Sequence, residues 1–365
     1  LLNLYKFKMT EENQKLYLLK ILTWFSSFVI VLFHYGLWFD LNFYEKNIFI
    51  DYLLKKKEYG ANFVYLYWAI TGFLFISLYQ KHENIKFKSY FINIFTKYYP
   101  LHFFTLILVL IIQFFNIKFF GKTQFGYSND LYHFILNIFF ASSWGMEKVQ
   151  SFNAPIWFMS ILVPVLTFFF ITFSLLARLK IFFSVFVIIS FYYIIPFIFE
   201  TNQSSLNFLA CFFYFYLGIT IFFICNFNKN YKKKIQILGI LGIAISIFSL
   251  NYDFNLHYEL IKLIPSTVLL YFSLILLCQN YYFNSSKFVN KVNTLMETSY
   301  SIYLLHFPLQ LFFILIFNLF NIDKSLFGNF TFFLFFITVL MFVSIISVKK
   351  FEKPSRRFFL KMIKF

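Results

Sequence analysis

Three histidines lie inside long apolar stretches of this sequence: His34, His102 and His306. An ionisable group within such a stretch costs roughly 2.5–3.5 kcal/mol if it is charged, so each histidine is a candidate for function. His34 has the most favourable position, because it lies well along the first apolar stretch, shielded yet near its far end. A neutral imidazole there can take a proton from a hydroxyl and return it to a leaving group, as acyl transfer requires. The alternative is a neutral histidine that is hydrogen-bonded inside a helix bundle.

The elements that must position these histidines are transmembrane helices. Of the 365 residues, 60% are apolar, 26% aromatic and only 13% charged, a composition that soluble domains do not have. A helix needs roughly 20 apolar residues to cross a bilayer. The pattern predicts an all-α polytopic membrane protein with ten transmembrane helices, at residues 16–39, 63–79, 98–117, 156–177, 181–199, 208–224, 235–250, 260–277, 301–320 and 330–348. A shorter apolar stretch, 131–144, is predicted to form an interfacial or re-entrant helix.

Basic residues set the predicted orientation. Lys and Arg number 32 against 15 Asp and Glu, and an N-terminus inside the cell places 23 of them on the cytoplasmic side and nine outside. The short N-terminus, 1–15, and the basic tail, 349–365, are therefore both expected in the cytoplasm. This distribution and attraction to anionic membrane lipids account for the excess of positive charge, so no nucleic-acid partner is expected.

The whole chain, 1–365, is predicted to be a single transmembrane domain. The first apolar stretch is too long for a cleavable signal peptide and has no small-residue cleavage site after it. Cys211, Cys225 and Cys278 are scattered through apolar stretches without the spacing of metal ligands. Neither a metal site nor a disulfide framework is therefore expected.

Five short blocks follow the opening helix in a recognisable order. They are WAITGFL at 68–74 after Gly60, KYYPL at 97–101, NAPIWFMS at 153–160, SYSIYLLHFP at 299–308 and FEKP at 351–354. Together with the helix that contains His34, these blocks resemble the acyltransferase-3 family, whose members O-acylate cell-envelope and exported glycans. Each block is weak alone, but their order covers nearly the whole chain.

The resemblance implies an activity and a set of site residues. A member of that family is expected to lie in the bacterial inner membrane and to move an acyl group, in the first place acetyl, from acyl-CoA to a hydroxyl of a glycan or lipid-linked glycan. His34 would be the general base. Asn153, Trp157 and Ser160 would lie at the outer surface and bind the acceptor, although Trp157 also suits an interfacial aromatic belt.

The sequence also departs from the family pattern. The family usually has an arginine eleven positions before its catalytic histidine, and this chain has Thr23 there; a common glutamate is replaced by Leu162. Lys20 lies one turn before Thr23 and is roughly 21 Å along the helix axis from His34, a separation that suits long acyl-CoA. Lys20, Thr23 and Lys97 are therefore predicted to bind the donor, with the two lysines at its phosphates. The alternative is that both lysines are ordinary cytoplasmic anchors.

The remaining polar residues in or next to these blocks are expected to have supporting roles. His306 and His102 are secondary candidates, more suited to orienting or packing than to acting as a second base. Tyr300 and Tyr303 are expected to pack between helices with satisfied hydroxyls, and Glu352 is expected to be structural.

Two other functions stay open from the sequence. Ten helices with polar groups inside them also suit a transporter of polysaccharide or lipid-linked sugar, although paired, interrupted helices typical of carriers are not evident. The changes at Thr23 and Leu162 also suit a relative that has lost catalysis.

Overall fold

The structure is a computed structural model that describes residues 17–41, 60–79, 86–126, 128–147, 150–175, 184–190, 203–227, 237, 239–242, 270–275 and 293–363. The regular elements within those ranges are helical. In chain order the helices that we label are α1 (Tyr17–Trp38), α2 (Gly60–Tyr79), α3 (Phe87–Phe120), α4 (Leu131–Ile138), α5 (Trp157–Leu175), α6 (Gln203–Phe227), α7 (Ser299–Leu319), α8 (Phe330–Ile346) and α9 (Lys353–Met362). Residues 184–190, 239–242, 270–275 and 293–296 are also helical. Shorter elements between them are three 3-10 helices, Gln124–Gly126, Ala154–Ile156 and Lys324–Gly328, and one π-helical segment, Ser347–Glu352.

Seven helices in the part of the chain that the structure describes are long and apolar enough to cross a membrane. They are α1, α2, α3, α5, α6, α7 and the continuous helix formed by α8, the π-helical segment and α9. Seven predicted transmembrane helices are thereby confirmed as helices of crossing length, and the described part of the chain has the helical architecture of a membrane protein. The other three, at 181–199, 235–250 and 260–277, lie largely outside the described residues, so the count of ten stays a prediction.

Helix α3 differs most from its predicted bounds, because it begins at Phe87 rather than at residue 98. Lys88 and Lys97 interrupt the apolar pattern but not the helix, since lysine has a high helix propensity. Gly121 ends the helix with a φ of 72°, and its N–H donates to Ile117 O at 2.9 Å. Hydropathy therefore located the apolar part of this helix and missed its charged first turns.

The described residues form two compact units, and unit 2 contains the predicted catalytic histidine. It comprises the described residues within Ser26–Val64, Asn84–Ile171 and Glu297–Phe365. Its core combines side chains from α1, α3, α7 and the segment before α5: Trp38, Leu106, Val109, Ile112, Phe152, Ala154, Phe307, Leu311 and Leu315. This core lies beside His34 and His306, because Trp38 and Phe307 belong to it.

Within unit 2, two side-chain pairs join α1 to α7 in one register. Ser27 Oγ lies 2.7 Å from Ser299 Oγ, and His34 Nδ1 lies 2.9 Å from His306 Nε2. Each serine stands seven positions before a histidine on its own helix, so the two helices run parallel and meet again after two turns. We refer to these contacts as the serine pair and the imidazole pair.

Unit 1 comprises the described residues within Leu1–Phe25, Tyr65–Glu83 and Thr172–Met296. In this unit α2 and α6 approach each other at two glycines. A Cβ atom on Gly72 would overlap the carbonyl oxygen of Phe215, and one on Gly218 would overlap that of Ala69. The two contacts are reciprocal, so the backbones of the helices touch and only glycine fits at either position. We refer to this contact as the glycine crossing.

The helix α4 is eight residues long, about 12 Å, and is much too short to cross a bilayer. Asp130 caps its start, and the Asp130 side chain accepts a hydrogen bond from His133 N at 2.9 Å. The predicted element at 131–144 is therefore shorter than expected, because Phe140 has a φ of 56° and takes the chain out of the helix.

Candidate active site

The candidate site centres on the imidazole pair inside unit 2. His34 is 8% exposed and His306 is fully buried. Their ring planes differ by only 3° and their centroids are 5.0 Å apart. This separation is close to the 2.9 Å between the two nitrogens plus the two ring radii, so the rings meet edge to edge through one hydrogen bond.

Two further side chains hold the pair in place. The indole of Trp38, one turn after His34, stacks on both imidazoles, with centroid distances of 4.2 Å to His34 and 5.3 Å to His306. Gln310, one turn after His306, donates from Nε2 to the backbone oxygen of His34 at 3.2 Å. Both contacts link α1 to α7 at the depth of the histidines, and the stacked indole restricts the rotation of the rings.

The tyrosines of α7 fix this helix against its neighbours in unit 2. Tyr300 donates its hydroxyl proton to Tyr98 O at 2.9 Å, and Tyr303 donates to Pro155 O at 2.8 Å. The expectation that both are packing residues with satisfied hydroxyls is confirmed. They position α7, and therefore His306, against α3 and the segment before α5.

Asn153 is fully buried and connects three segments of unit 2. Its Nδ2 donates to Thr105 Oγ1 at 2.9 Å and to Leu304 O at 3.3 Å. Its Oδ1 has no hydrogen-bond partner among the residues that the structure describes. The structure corrects the expected surface position of Asn153, because its polar groups are needed to join buried segments; acceptor binding by this residue stays a prediction.

Ser160 is also buried rather than at the surface. Its Oγ accepts a hydrogen bond from Ser143 N at 2.9 Å, and its carbonyl oxygen accepts one from Trp144 Nε1 at 2.8 Å. The residue thus anchors the loop after α4 to the first turn of α5. Trp157 is half-buried at the start of the same helix, and Leu162 is a buried apolar residue. Acceptor binding by Ser160 and Trp157 stays a prediction.

A half-buried carboxylate, Glu147, lies in the loop that Ser160 anchors. Ser151 donates its hydroxyl proton to this carboxylate, with Oε2 at 2.9 Å and Oε1 at 3.0 Å. Asn137 in turn donates from Nδ2 to Ser151 Oγ at 2.8 Å. Burial raises the pKa of Glu147 to about 7, although the hydrogen bond from Ser151 opposes the rise. The loop therefore contains a group that titrates near neutral pH.

His102 is fully buried on α3 and serves a different purpose from the imidazole pair. Its Nε2 donates to Asn137 O at 2.7 Å, and its ring stacks on Phe140 with centroids 4.3 Å apart. Both partners belong to the end of α4 and the turn after it. His102 therefore attaches this short helix to α3, in agreement with the expected packing role.

Lys97 is the predicted donor-binding residue that belongs to unit 2, and it is exposed. Its Nζ donates to Tyr98 Oη at 2.9 Å, and the ammonium interacts electrostatically with the carboxylate of Glu352. Glu352 Oε1 accepts hydrogen bonds from Ser301 Oγ at 2.5 Å and from Ser347 Oγ at 2.8 Å. The structural role expected for Glu352 is consistent with these bonds, which join the π-helical segment to α7.

The other two predicted donor-binding residues belong to unit 1. Lys20 is exposed on α1. Thr23 is half-buried, and its hydroxyl donates to Leu19 O, one turn earlier on the same helix, at 2.8 Å. Donor binding by Lys20, Thr23 and Lys97 stays a prediction.

Sequence reasoning missed two residues that contact the imidazole pair. Gln310 is a strongly polar, fully buried residue within a transmembrane helix, and the rule that singled out the histidines applies to it equally. Trp38 stands four positions after His34, a spacing that places both side chains on one helix face. Both signals were present in the sequence.

The chemistry that this arrangement supports is proton transfer. No group of three or more His, Cys, Asp or Glu side chains suitable for a metal ion occurs among the described residues. Within the same residues, Nε2 of His34 has no hydrogen-bond partner, whereas Nδ1 is bonded to His306. His34 thus presents one ring nitrogen that can exchange a proton with a bound molecule.

The described residues thus combine helices of membrane-crossing length with a buried, hydrogen-bonded imidazole pair, which can support proton transfer inside a membrane protein. Residues 17–349 match the family model for the acyltransferase domain of the acyltransferase-3 family. The chain belongs to that family, as the sequence blocks predicted. No curated protein and no solved structure shows significant similarity to the chain.

Proposed function

We propose that this protein is an O-acyltransferase of the bacterial inner membrane. It transfers an acyl group, most simply acetyl, from acyl-CoA to a hydroxyl of a surface or exported polysaccharide, or of its lipid-linked precursor. The family membership gives acyl transfer. The observation that supports His34 as the general base is its bonding pattern: a buried imidazole with Nδ1 bonded to His306 and Nε2 without a partner among the described residues.

In the proposed reaction the acceptor hydroxyl gives its proton to Nε2 of His34. The acceptor oxygen attacks the thioester carbonyl carbon, the new C–O ester bond forms and the C–S bond breaks. The coenzyme A thiolate then takes the proton from Nε2, so His34 returns to its starting state. The step consumes no other reactant.

The topology completes the proposal. The proposed protein has ten transmembrane helices in a single domain, with both termini in the cytoplasm. Most of its Lys and Arg residues then lie on the side where acyl-CoA is available. Lys20 and Lys97 would meet the donor phosphates on that side. Lysine provides charge there but lacks the planar fork of arginine, so donor affinity would be modest.

The test is a comparison of three proteins: wild type, His34→Ala and Ser299→Ala. Purified protein is mixed with acetyl-CoA and an oligosaccharide acceptor, and the release of thiol is measured. In addition, the masses of the envelope glycans of the producing cells are determined by mass spectrometry. We expect His34→Ala to lose about 10²- to 10⁴-fold in rate, as loss of a general base does. The matched control Ser299→Ala breaks the serine pair on the same two helices and should keep most of the activity.

Three outcomes would contradict parts of this proposal. Full activity of a folded His34→Ala protein would remove His34 as the base. A wild-type protein that releases no thiol would favour a relative without catalysis, which the changes at Thr23 and Leu162 also suit. Loss of intact polymer from deletion cells, rather than of its acetyl groups, would favour a carrier.

A further inference from the structure

The hydrogen bonds of the imidazole pair run in one direction. Nδ1 of His306 lies 3.2 Å from the carbonyl oxygen of Ile302, one turn earlier on α7. A carbonyl oxygen can only accept, so Nδ1 of His306 bears a proton. This single fixed point determines the proton positions of both rings.

Both rings are neutral in the resting protein. Their exposed fractions are 8% and 0%, and neither forms an ion pair with any described residue. A charged imidazole without a counter-charge is costly in such surroundings. A neutral imidazole has one protonated and one bare nitrogen, so Nε2 of His306 is bare and accepts the hydrogen bond of 2.9 Å from Nδ1–H of His34. It follows that Nε2 of His34 is bare as well.

The surroundings keep the rings from leaving this arrangement. Trp38 stacks on both imidazoles with interplanar angles of 24° and 23°, so neither ring can turn out of the common plane without losing that contact. Gln310 holds the backbone of α1 at His34 through the 3.2 Å hydrogen bond to its oxygen. Packing therefore maintains the orientation of the rings, and the Ile302 carbonyl sets the direction of their hydrogen bonds.

We infer that His306 is a positioning residue that holds His34 in the tautomer whose Nε2 is basic. This inference rests on the proposed function, since it states which nitrogen of the general base receives the acceptor proton. When Nε2 takes up that proton, His34 becomes an imidazolium, and its Nδ1–H bond to His306 becomes a stronger, charge-assisted bond. His306 therefore both selects the tautomer and stabilises the charge that develops during transfer, without giving up a proton of its own.

Two substitutions at residue 306 separate positioning from packing. His306→Gln retains a side-chain oxygen that can accept from Nδ1–H of His34, whereas His306→Leu fills the space and accepts nothing. We expect the leucine variant to lose at least about tenfold in kcat, because a histidine in the wrong tautomer cannot act as the general base. Its KM for acetyl-CoA should stay unchanged, and the glutamine variant should recover most of the lost kcat.

A spectroscopic measurement tests the inference without any turnover. The protein is purified with isotopically labelled histidine, and NMR of the ring nitrogens distinguishes protonated from bare positions; the signals of His34 are identified by their loss in His34→Ala. Wild type, His306→Gln and the control Ser299→Ala should all show a bare Nε2 on His34. His306→Leu should show a second population with the proton on Nε2.

Different results would contradict the inference and the proposed function. If His306→Leu leaves the nitrogen spectrum of His34 unchanged, or if the leucine and glutamine variants lose the same activity, His306 is a packing residue and the inference is wrong. If instead His34→Ala retains full activity while the spectra follow the expected pattern, the tautomer assignment stands and the proposed role of His34 in catalysis fails.

Discussion

The protein joins helices in two different ways, and the difference separates function from scaffold. In unit 2, residues 26–38 of α1 meet α7 through polar side chains, the serine pair and the imidazole pair. In unit 1, residues 65–79 of α2 meet α6 through bare backbone at the glycine crossing. Close backbone packing gives stability in lipid at little cost, whereas buried imidazoles must be hydrogen-bonded to be tolerated. The costly contact is therefore the one to examine for chemistry.

The largest effect should come from breaking the glycine crossing. Gly218→Val places a branched side chain against the carbonyl oxygen of Ala69, which belongs to the backbone and cannot move aside. We expect no folded protein to accumulate, as judged by membrane-fraction yield and gel filtration in detergent. The control Gly121→Asn changes a helix-end glycine whose added Cβ meets nothing within 4 Å, and asparagine tolerates a positive φ. Normal yield of Gly218→Val would show that the crossing is not needed for folding.

The next effect distinguishes stability from activity at the imidazole pair. In the double variant His34→Leu with His306→Leu both partners of one hydrogen bond are replaced by apolar groups, a change that is often nearly neutral for stability. We expect thermal unfolding in detergent to shift by no more than about 1 kcal/mol in free energy. Thiol release should fall by about 10²-fold or more in the same samples.

A large loss of stability in that double variant would overturn the comparison, because the imidazole pair would then be a structural contact like the glycine crossing. His34→Leu alone provides the control for hydrogen bonding. It leaves His306 Nε2 buried without its donor and should cost about 1–3 kcal/mol more than the double variant.

A smaller effect is expected at Asn153, a polar group of unit 2 with a structural contact. Asn153→Ala removes the hydrogen bonds to Thr105 and Leu304 O and should lower the free energy of unfolding by about 1–3 kcal/mol. Asn93→Ala is the matched control, since Asn93 is half-buried and donates only to Ser89 O of its own helix at 2.9 Å. Equal losses in the two variants would contradict the joining role of Asn153.

The smallest effect is a pH dependence of stability from Glu147. Its pKa rises from 4.5 to about 7 on folding, so the folded protein binds more protons than the unfolded chain between these two pH values. Stability from this group therefore falls as pH rises through that window. We expect Glu147→Gln to raise Tm relative to wild type at pH above about 7 and to leave it unchanged at low pH. A parallel pH profile in both proteins would show that Glu147 does not titrate there.

The sequence located seven helices of crossing length and singled out His34 as an intramembrane imidazole, because both leave local signals. Apolar length marks a helix in lipid wherever it lies, and an imidazole in such a helix stands out. The helical bounds of α3 were predicted less well, since Lys88 and Lys97 end a hydropathy signal without ending a helix.

Contacts between distant residues could not be predicted in the same way. His34 and His306 are 272 positions apart, and nothing in either helix states which other helix lies beside it. Asn153 and Ser160 were expected at the outer surface because the resemblance assigns them to acceptor binding, yet their polar groups join buried segments. The position of each side chain depends on which backbone groups still lack a hydrogen-bond partner after the helices pack.

The π-helical segment Ser347–Glu352 determines how the side chains that follow it are oriented around the helix axis. Its wider hydrogen-bonded turn contains one residue more than an α-helix would, and each residue of an α-helix turns the following side chains by about 100°. If the same residues formed an uninterrupted α-helix, Glu352 would be rotated by about 100° away from Ser301, and the exposed Phe358 and Lys361 of α9 would turn with it. The extra residue in this turn thus sets the direction in which the side chains of α9 point.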